Sequence, residues 1–475
     1  MDSQKRFTMK ITKIKWPDNH PILKGLEINL KKGDGTIYDN LIIAAENGYG
    51  KTTILNNIYD FFNGIDFEFE IFEYEDSGNT YSATRGERDL YKLSKNGVNE
   101  EDVQLAQWRG MEHGALDMGY ISGYESEKLQ AFNAKYSSAL TVFQDSNTGN
   151  EEGILVKDLL ITLARQDNEE YRKLNIDKEQ SSQPALYPSQ YDNTHSRINR
   201  FKTAFNQLFD NLEFVGVSSS LDGAEALFSK NNSEPFDISN LITGEKQVVH
   251  RGTQLLEGAS VPSLAMIDEP ELSMHPKWQD KVLQYYRSLF TDATTYQQRS
   301  QVFIATHSDH IIRNAFSSLA DTLIVRLEFE NGRLVAKTTD GGVLLTITSA
   351  EVNYLAFGIC STDYHIQLYA QLQNNLIAHD GTIDTISVKR TDESLVQQPE
   401  YVADAALTKS YAFSDHGNVR TYDSLSTYIR NCIDHPGAQH PTTGVVHKYS
   451  SEELKKSTEF LRTLLKNQRN STYTY

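Results

Sequence analysis

The chain is poor in cysteine, has no long apolar run, and carries fewer basic than acidic residues. Its two cysteines, Cys360 and Cys432, form neither a CxxC pair nor a metal-ligand spacing. That argues against a disulfide framework and a cysteine-ligated metal module, and fits small buried thiols in a reducing compartment, for which the cytoplasm is the expectation. No apolar stretch approaches the ~18 residues a membrane span needs. Met1 to Lys10 is polar and lacks the apolar core of a signal peptide. Lys plus Arg number 46 against 64 Asp plus Glu, a formal charge of −18. Nucleic-acid phosphates are held by Lys/Arg stripes, so binding over the whole surface is disfavoured, while a local basic groove or a DNA-binding partner stays open. There is no internal repeat, and no heptad run long enough for a coiled-coil arm.

What is present is a globular composition, 39% hydrophobic and 23% charged over 475 residues, enough for at least one large core. Residues 8–30 alternate like strands, with a slip between Met9/Ile11 and Ile14/Trp16. Leu41-Ile42-Ile43 is a short buried strand, followed by a glycine-punctuated loop and a helix from Thr52 to about Phe62. Residues 66–96 look like antiparallel strands, and 125–215 is polar and helix-leaning, with a low-order stretch from Glu179 to Thr194. Strand character returns at Leu212–Val217; a loop and helix follow at 241–257, a strand at Leu264–Ile267, a helix at Pro276–Leu289, a strand at Val302–Ala305 and two closing strands over 322–338. Beyond about 346 the chain reads as helices and polar loops.

Ala45-Glu46-Asn47-Gly48-Tyr49-Gly50-Lys51-Thr52 has the spacing of a phosphate loop, with Ala in place of the first Gly. A strand ends, Gly48 and Gly50 let backbone N–H groups turn inward, and the helix that follows aims its positive end at an anion. Lys51 would reach the β/γ-phosphates of a nucleotide, and Thr52 would offer its hydroxyl to Mg²⁺. Asn47, Tyr49 and Thr53 complete the candidate cradle.

Leu264 to Glu269 is an apolar strand ending in two carboxylates. Asp268 is placed to support Mg²⁺ and Glu269 to act as general base on the attacking water. Taken alone, it reads more readily as an ordinary strand leaving the core onto a charged turn. Val302–Ala305 is another buried strand, ending in Thr306-His307, and His307 is a candidate contact for the γ-phosphate and the water. Thr243-Gly244-Glu245 opens a helix, a second anion-binding terminus. Since one phosphate loop already serves in cis, the second is best explained as serving the nucleotide of a neighbouring subunit.

In this order the four elements resemble those of ABC-type ATPases: phosphate loop, signature, Walker B with catalytic glutamate, and switch histidine. The Gly244-Glu245-Lys246-Gln247 form resembles the RecF, OLD and anti-phage branch more than transporters. Asp268 to Pro276 resembles the same branch, where this stretch forms the D-loop, and Thr306-His307-Ser308 matches its switch. The resemblance covers roughly residues 8–340. It implies an α/β ABC-type ATPase head over 1–345 with an inserted helical lid at about 125–215, plus a mostly α-helical C-terminal domain over 346–475. It also implies ATP and Mg²⁺ as cofactors and a head-to-tail dimer, or a higher homo-oligomer, that ATP closes and hydrolysis opens. The 191 residues from Thr52 to Thr243 are too few for a long Rad50-like arm. The Q-loop glutamine is not assignable; Gln104 and Gln107 are candidates.

The tail separates the relatives. OLD nucleases need an Asp-x-Asp pair for metal, and none occurs after residue 346. Glu351 to Phe357, Tyr364-His365, Leu368-Tyr369, Tyr428 to Pro436 and an apparent helix from Ser451 to Leu465 together look similar to the PtuA ATPases of Septu anti-phage systems and their retron relatives. That implies a regulatory subunit for a partner HNH nuclease of the PtuB kind, with nuclease activity in the partner and DNA reached through the complex. Two other readings compete. Arg430 to His435 fits the Arg-x4-His pattern of HEPN ribonucleases, with both side chains expected near one helix face, against a plain helix end stopped by Pro436. A RecF- or Rad50-like DNA-repair ATPase shares the head.

Overall fold

The computed structural model describes residues 9–62, 68–76, 78–86, 90–104, 134–137, 156–169, 196–220, 223–257, 264–292, 296–339, 341–380, 387–415 and 418–472. They fall into two units, 1–338 and 339–475.

The first unit is built around Asn40–Ala44, a strand buried at every position. Its run NLIIA is what a strand covered on both faces requires. Parallel neighbours flank it, Thr322–Glu330 on one side and Gln301–Thr306 on the other. Leu264–Asp268 pairs with the far side of Gln301–Thr306, and Ala134–Ser137 lies beyond it, both parallel. Arg333–Thr338 closes the opposite edge as an antiparallel hairpin strand. In the strand register, Ala44 stands opposite Thr306, and Ala305 opposite Asp268. The carboxyl ends of three strands are therefore level, on the side where α/β sheets bind ligands.

A second, antiparallel sheet runs in the order Glu27–Asn29, Lys10–Lys15, Ile71–Asp76, Asn79–Arg85, Leu90–Lys95, Val98–Gln104. The alternation slip near the N-terminus is a register shift between Ile11 and Lys13 against Ile71–Asp76. The helix Lys51–Phe62 drives Ile54, Leu55, Ile58 and Phe61 into a core shared with Trp16, Phe69 and Phe72 of this sheet. Another layer is formed by Arg197–Leu208, Thr243–Leu256 and Pro276–Leu289. There Phe209 meets Trp278 edge-on, Arg200 Nη1 donates to Leu289 O at 3.0 Å, and Tyr285 Oη donates to Val248 O at 3.0 Å.

One expectation changes. Ala134–Ser137 falls inside the span assigned to a helical insertion, yet it is the outer strand of the parallel sheet. Four residues of mixed polarity carry no period, and their partner strand lies some 130 positions further on. Helices at 156–169 and Arg197–Leu208 do lie within the insertion, followed by the strand Leu212–Ser220. The stretch Glu179 to Thr194 lies outside the described residues.

The second unit is mostly helical: Ser349–Phe357, Thr362–Asp380, Val388–Leu395, Pro399–Ala403, Leu425–Asp434 and Ser451–Thr472. It also holds an antiparallel pair, Thr408–Asp415 with Asn418–Ser424, where only helices and loops were expected. Both cysteines are free and half-buried, with Cys360 Sγ donating to Thr458 Oγ1. Among the described residues, no helix is long and apolar enough to cross a membrane.

Candidate active site

The loop after Asn40–Ala44 turns through two left-handed glycines, Gly48 at φ 83° and Gly50 at φ 80°. A Cβ on Gly50 would stand 3.0 Å from Leu23 Cδ2 and 3.2 Å from Ile22 Cγ2, so both backbone and packing require glycine there. Ala45 is buried and keeps a negative φ, which is why it can replace the usual first glycine. Asn47 is exposed, and the Tyr49 ring leans edge-on against Phe329 at 5.1 Å. Lys51 Nζ is folded into the loop, donating to Ala45 O at 2.8 Å and Glu46 O at 3.0 Å. Burial pulls its pKa down, and the nearby Glu269, Glu271 and Asp268 charges oppose that shift.

Thr52 is exposed and Thr53 half-buried at the start of the helix. Thr52 Oγ1 donates to Asp268 Oδ2 at 2.7 Å, joining the two halves of the predicted site across 216 residues of chain. Asp268 is buried, and burial raises its pKa against the lowering effect of the Thr52 bond. Its Oδ1 is buried without a hydrogen-bond partner among the described residues. A buried carboxylate oxygen left without a donor is the feature a hard cation would satisfy, so the residues present fit Mg²⁺.

Glu269 follows at φ +46°, an uncommon conformation for a side-chain-bearing residue. Its N–H donates to Ala305 O at 2.8 Å, while its side chain stays partly open to solvent. Arg251, fully buried in Thr243–Leu256, donates from Nη1 to Asp268 O at 2.9 Å and from Nη2 to Glu269 O at 3.2 Å, clamping the strand end. Tyr136 Oη donates to Asp268 Oδ2 at 3.4 Å, and burial raises the phenol pKa well above its ordinary value. His307 Nδ1 lies 3.1 Å from Glu271 Oε1 and 3.7 Å from Glu269 Oε1. The phosphate-loop residues, Asp268, Glu269 and His307 thus converge at the level strand ends.

The second helix terminus is set apart by its own contacts. Thr243 is exposed and Ile242, just before it, is 56% exposed, whereas Gly244 is buried. A Cβ at Gly244 would come within 2.5 Å of Ser273 O, so glycine lets this helix seat on the loop after Glu269. Glu245, expected as a nucleotide contact, is committed elsewhere. Its Oε2 accepts from Ile242 N at 3.0 Å and its Oε1 pairs with Lys230 at 2.9 Å, closing the helix end.

Arg251, Glu271 and Tyr136 were not expected as site residues. Glu271 lies within the Asp268–Pro276 string, two residues from the general base. Arg251 had no signal of its own, standing between His250 and Gly252 in a helix of mixed polarity. Tyr136 had none. Gln104 ends the strand Val98–Gln104, and Gln107 lies outside the described residues.

In the second unit, Arg430 and His435 do not form the expected pair. Arg430 Nη2 bonds Asp434 Oδ2 at 2.6 Å, and His435 is the non-helical cap of Leu425–Asp434, its ring 5.1 Å from Phe413. Five residues apart on a 3.6-residue turn is not one face, because neighbours fall at three and four. Glu351, Tyr364 and His365 are core groups: Glu351 Oε1 accepts from Val343 N at 2.6 Å and Tyr364 Oη at 3.2 Å, and His365 Nε2 shares a 2.9 Å bond with Ser457 Oγ.

A family model described as "AAA domain, putative AbiEii toxin, Type IV TA system" matches residues 70–313, just over half of the 475. The chain belongs to this AAA family. Its first unit therefore carries an AAA-type domain, with the mixed α/β architecture expected from the sequence. Solved structures similar to it include an Smc head bound to the C-winged helix domain of ScpA, with TM-score 0.39, 12% identity, and coverage of 69% of this chain and 97% of that one. An SMC head domain from Thermotoga maritima gives TM-score 0.37 at 14% identity, covering 70% of this chain and 99% of that one. No curated protein matches.

Proposed function

We propose that this AAA-family chain is an ATP-operated switch that works as a head-to-tail homodimer, or a higher oligomer of such pairs, and controls a partner nuclease in anti-phage defence. The observation that carries the nucleotide part is the Thr52–Asp268 bond at 2.7 Å beside an unpartnered Asp268 Oδ1. A hydroxyl bonded to a carboxylate is the pairing that holds a hydrated cation beside a triphosphate, and this supports the reading. Mg²⁺, when bound, neutralises phosphate charge. Lys51 exchanges its loop carbonyls for phosphate oxygens. Glu269, held by Arg251 and Ala305, takes the proton of the attacking water. Thr243 and the N–H groups that open its helix face the γ-phosphate of the neighbouring subunit's nucleotide. Exposed Ile242 beside Thr243 suits a surface that becomes covered on closure.

The defence role rests on the resemblance of the tail to Septu ATPases, and on a family description that itself names a toxin of a toxin–antitoxin system. The net charge of −18 favours delegating DNA to a partner of the HNH nuclease class. The test is affinity capture of the full chain from its host extract, with and without Mg-ATP, followed by nuclease assays on plasmid and RNA. Recovery of a small HNH protein, with plasmid cut only in its presence, is the expected result. RNA cleavage by the chain alone, abolished by His435→Ala, would transfer the chemistry to the tail.

A further inference from the structure

We infer that Glu271 is the positioning residue of the switch histidine: it fixes the ring tautomer of His307, so that Nε2 is the atom offered to the nucleotide site. The inference rests on the ATP-site reading above. Glu271 is buried, and its Oε1 accepts the backbone N–H of His307 at 2.8 Å. The same oxygen stands 3.1 Å from His307 Nδ1. An ionised carboxylate has only acceptor oxygens. Beside that carboxylate oxygen, the hydrogen of a neutral ring belongs on Nδ1. A carboxylate on one ring nitrogen decides the role of the other.

The geometry has three consequences. Nε2 has no partner among the described residues, and the ring is 42% exposed, so it is the free end of the pair. Glu269 Oε1, at 3.7 Å from Nδ1, is beyond hydrogen-bond reach, so Glu271 keeps the histidine off the general base. Because Oε1 accepts the His307 backbone N–H and stands 3.1 Å from Nδ1, it ties the main chain at the end of Gln301–Thr306 and faces the ring from the same point.

The test uses the full chain with its histidines ¹⁵N-labelled and His307→Ala to assign the signal. Wild type, at a pH where the ring is neutral, should show Nδ1–H with Nε2 unprotonated. Glu271→Gln keeps an amide oxygen as acceptor and should retain that tautomer; Glu271→Leu, which fills the space without an acceptor, should lose it. In parallel, kcat for ATP should fall about 10-fold or more in Glu271→Leu, with KM nearly unchanged and Glu271→Gln substantially rescued. Adding Glu271→Leu to His307→Ala should cause no further fall. An Nε2–H tautomer in wild type, or losses that multiply in the double variant, would overturn the assignment. The tautomer is read whether or not ATP is turned over, so absence of hydrolysis would sink the ATPase reading alone.

Discussion

Each unit buries an aspartate, and the two are used in opposite ways. Asp392, in the second unit, is 1% exposed; its oxygens accept from Ser424 N at 3.0 Å, Ser424 Oγ at 2.5 Å and Asp423 N at 3.0 Å. It is a satisfied anchor, joining Val388–Leu395 to the start of Leu425–Asp434. Asp268, in the first unit, is 6% exposed; it receives one good bond, from Thr52, and a long one from Tyr136, both on Oδ2. A structural carboxylate uses its lone pairs within the fold, whereas a ligand carboxylate keeps one in reserve at a cost in stability.

That contrast predicts opposite outcomes for the two residues. Asp392→Ala leaves the buried Ser424 N–H and Ser424 hydroxyl, and the part-buried Asp423 N–H, without their acceptor and should cost about 3 kcal/mol in denaturant unfolding while leaving ATP turnover intact. Asp268→Asn removes a charge that burial already disfavours. Without nucleotide it should unfold no earlier than wild type, yet it should lose Mg-dependent ATP hydrolysis. Equal destabilisation by the two changes would erase the distinction.

A smaller effect separates the histidines in the same sense. His307 is open to solvent at the site, whereas burial lowers the His365 pKa to about 3. The unfolded chain takes up that proton near pH 6.5 and the folded chain does not. Stability is therefore complete above about 6.5 and declines as pH falls toward 3. The His365 contribution to that loss should reach about 2 kcal/mol by pH 5. Denaturant midpoints for wild type and His365→Gln at pH 7 and pH 5 isolate it: the variant should lose less on acidification.

How much of this was legible in the sequence depended on distance along the chain. Pro276–Leu289 was legible at about its true bounds, because proline sits at its first position; the His275 cap came from the structure. The phosphate loop was legible because strand, glycines, lysine and helix are contiguous. Asp268, Glu269 and His307 were legible only as members of an ordered set. Ala134–Ser137 was hidden because a four-residue edge strand is defined by its partner rather than its own period. Arg251 was hidden because what it clamps is backbone, which leaves no mark in the residues clamped. The pair Thr408–Asp415 and Asn418–Ser424 could have been found from the alternation of Tyr411 and Phe413. Glu245 and His435 show the limit of a motif: it fixes positions in the sequence, while a side chain turns toward the nearest unsatisfied group.

The most direct measurement is the solution mass of Glu269→Gln, which should bind ATP without hydrolysing it. With Mg-ATP it should double from the 53.8 kDa of a single chain, and Thr243→Glu, placing a negative charge at the exposed helix terminus, should hold it at the lower mass. A mass that ignores ATP, or one that doubles equally with Thr243→Glu, would contradict a nucleotide clamped between subunits.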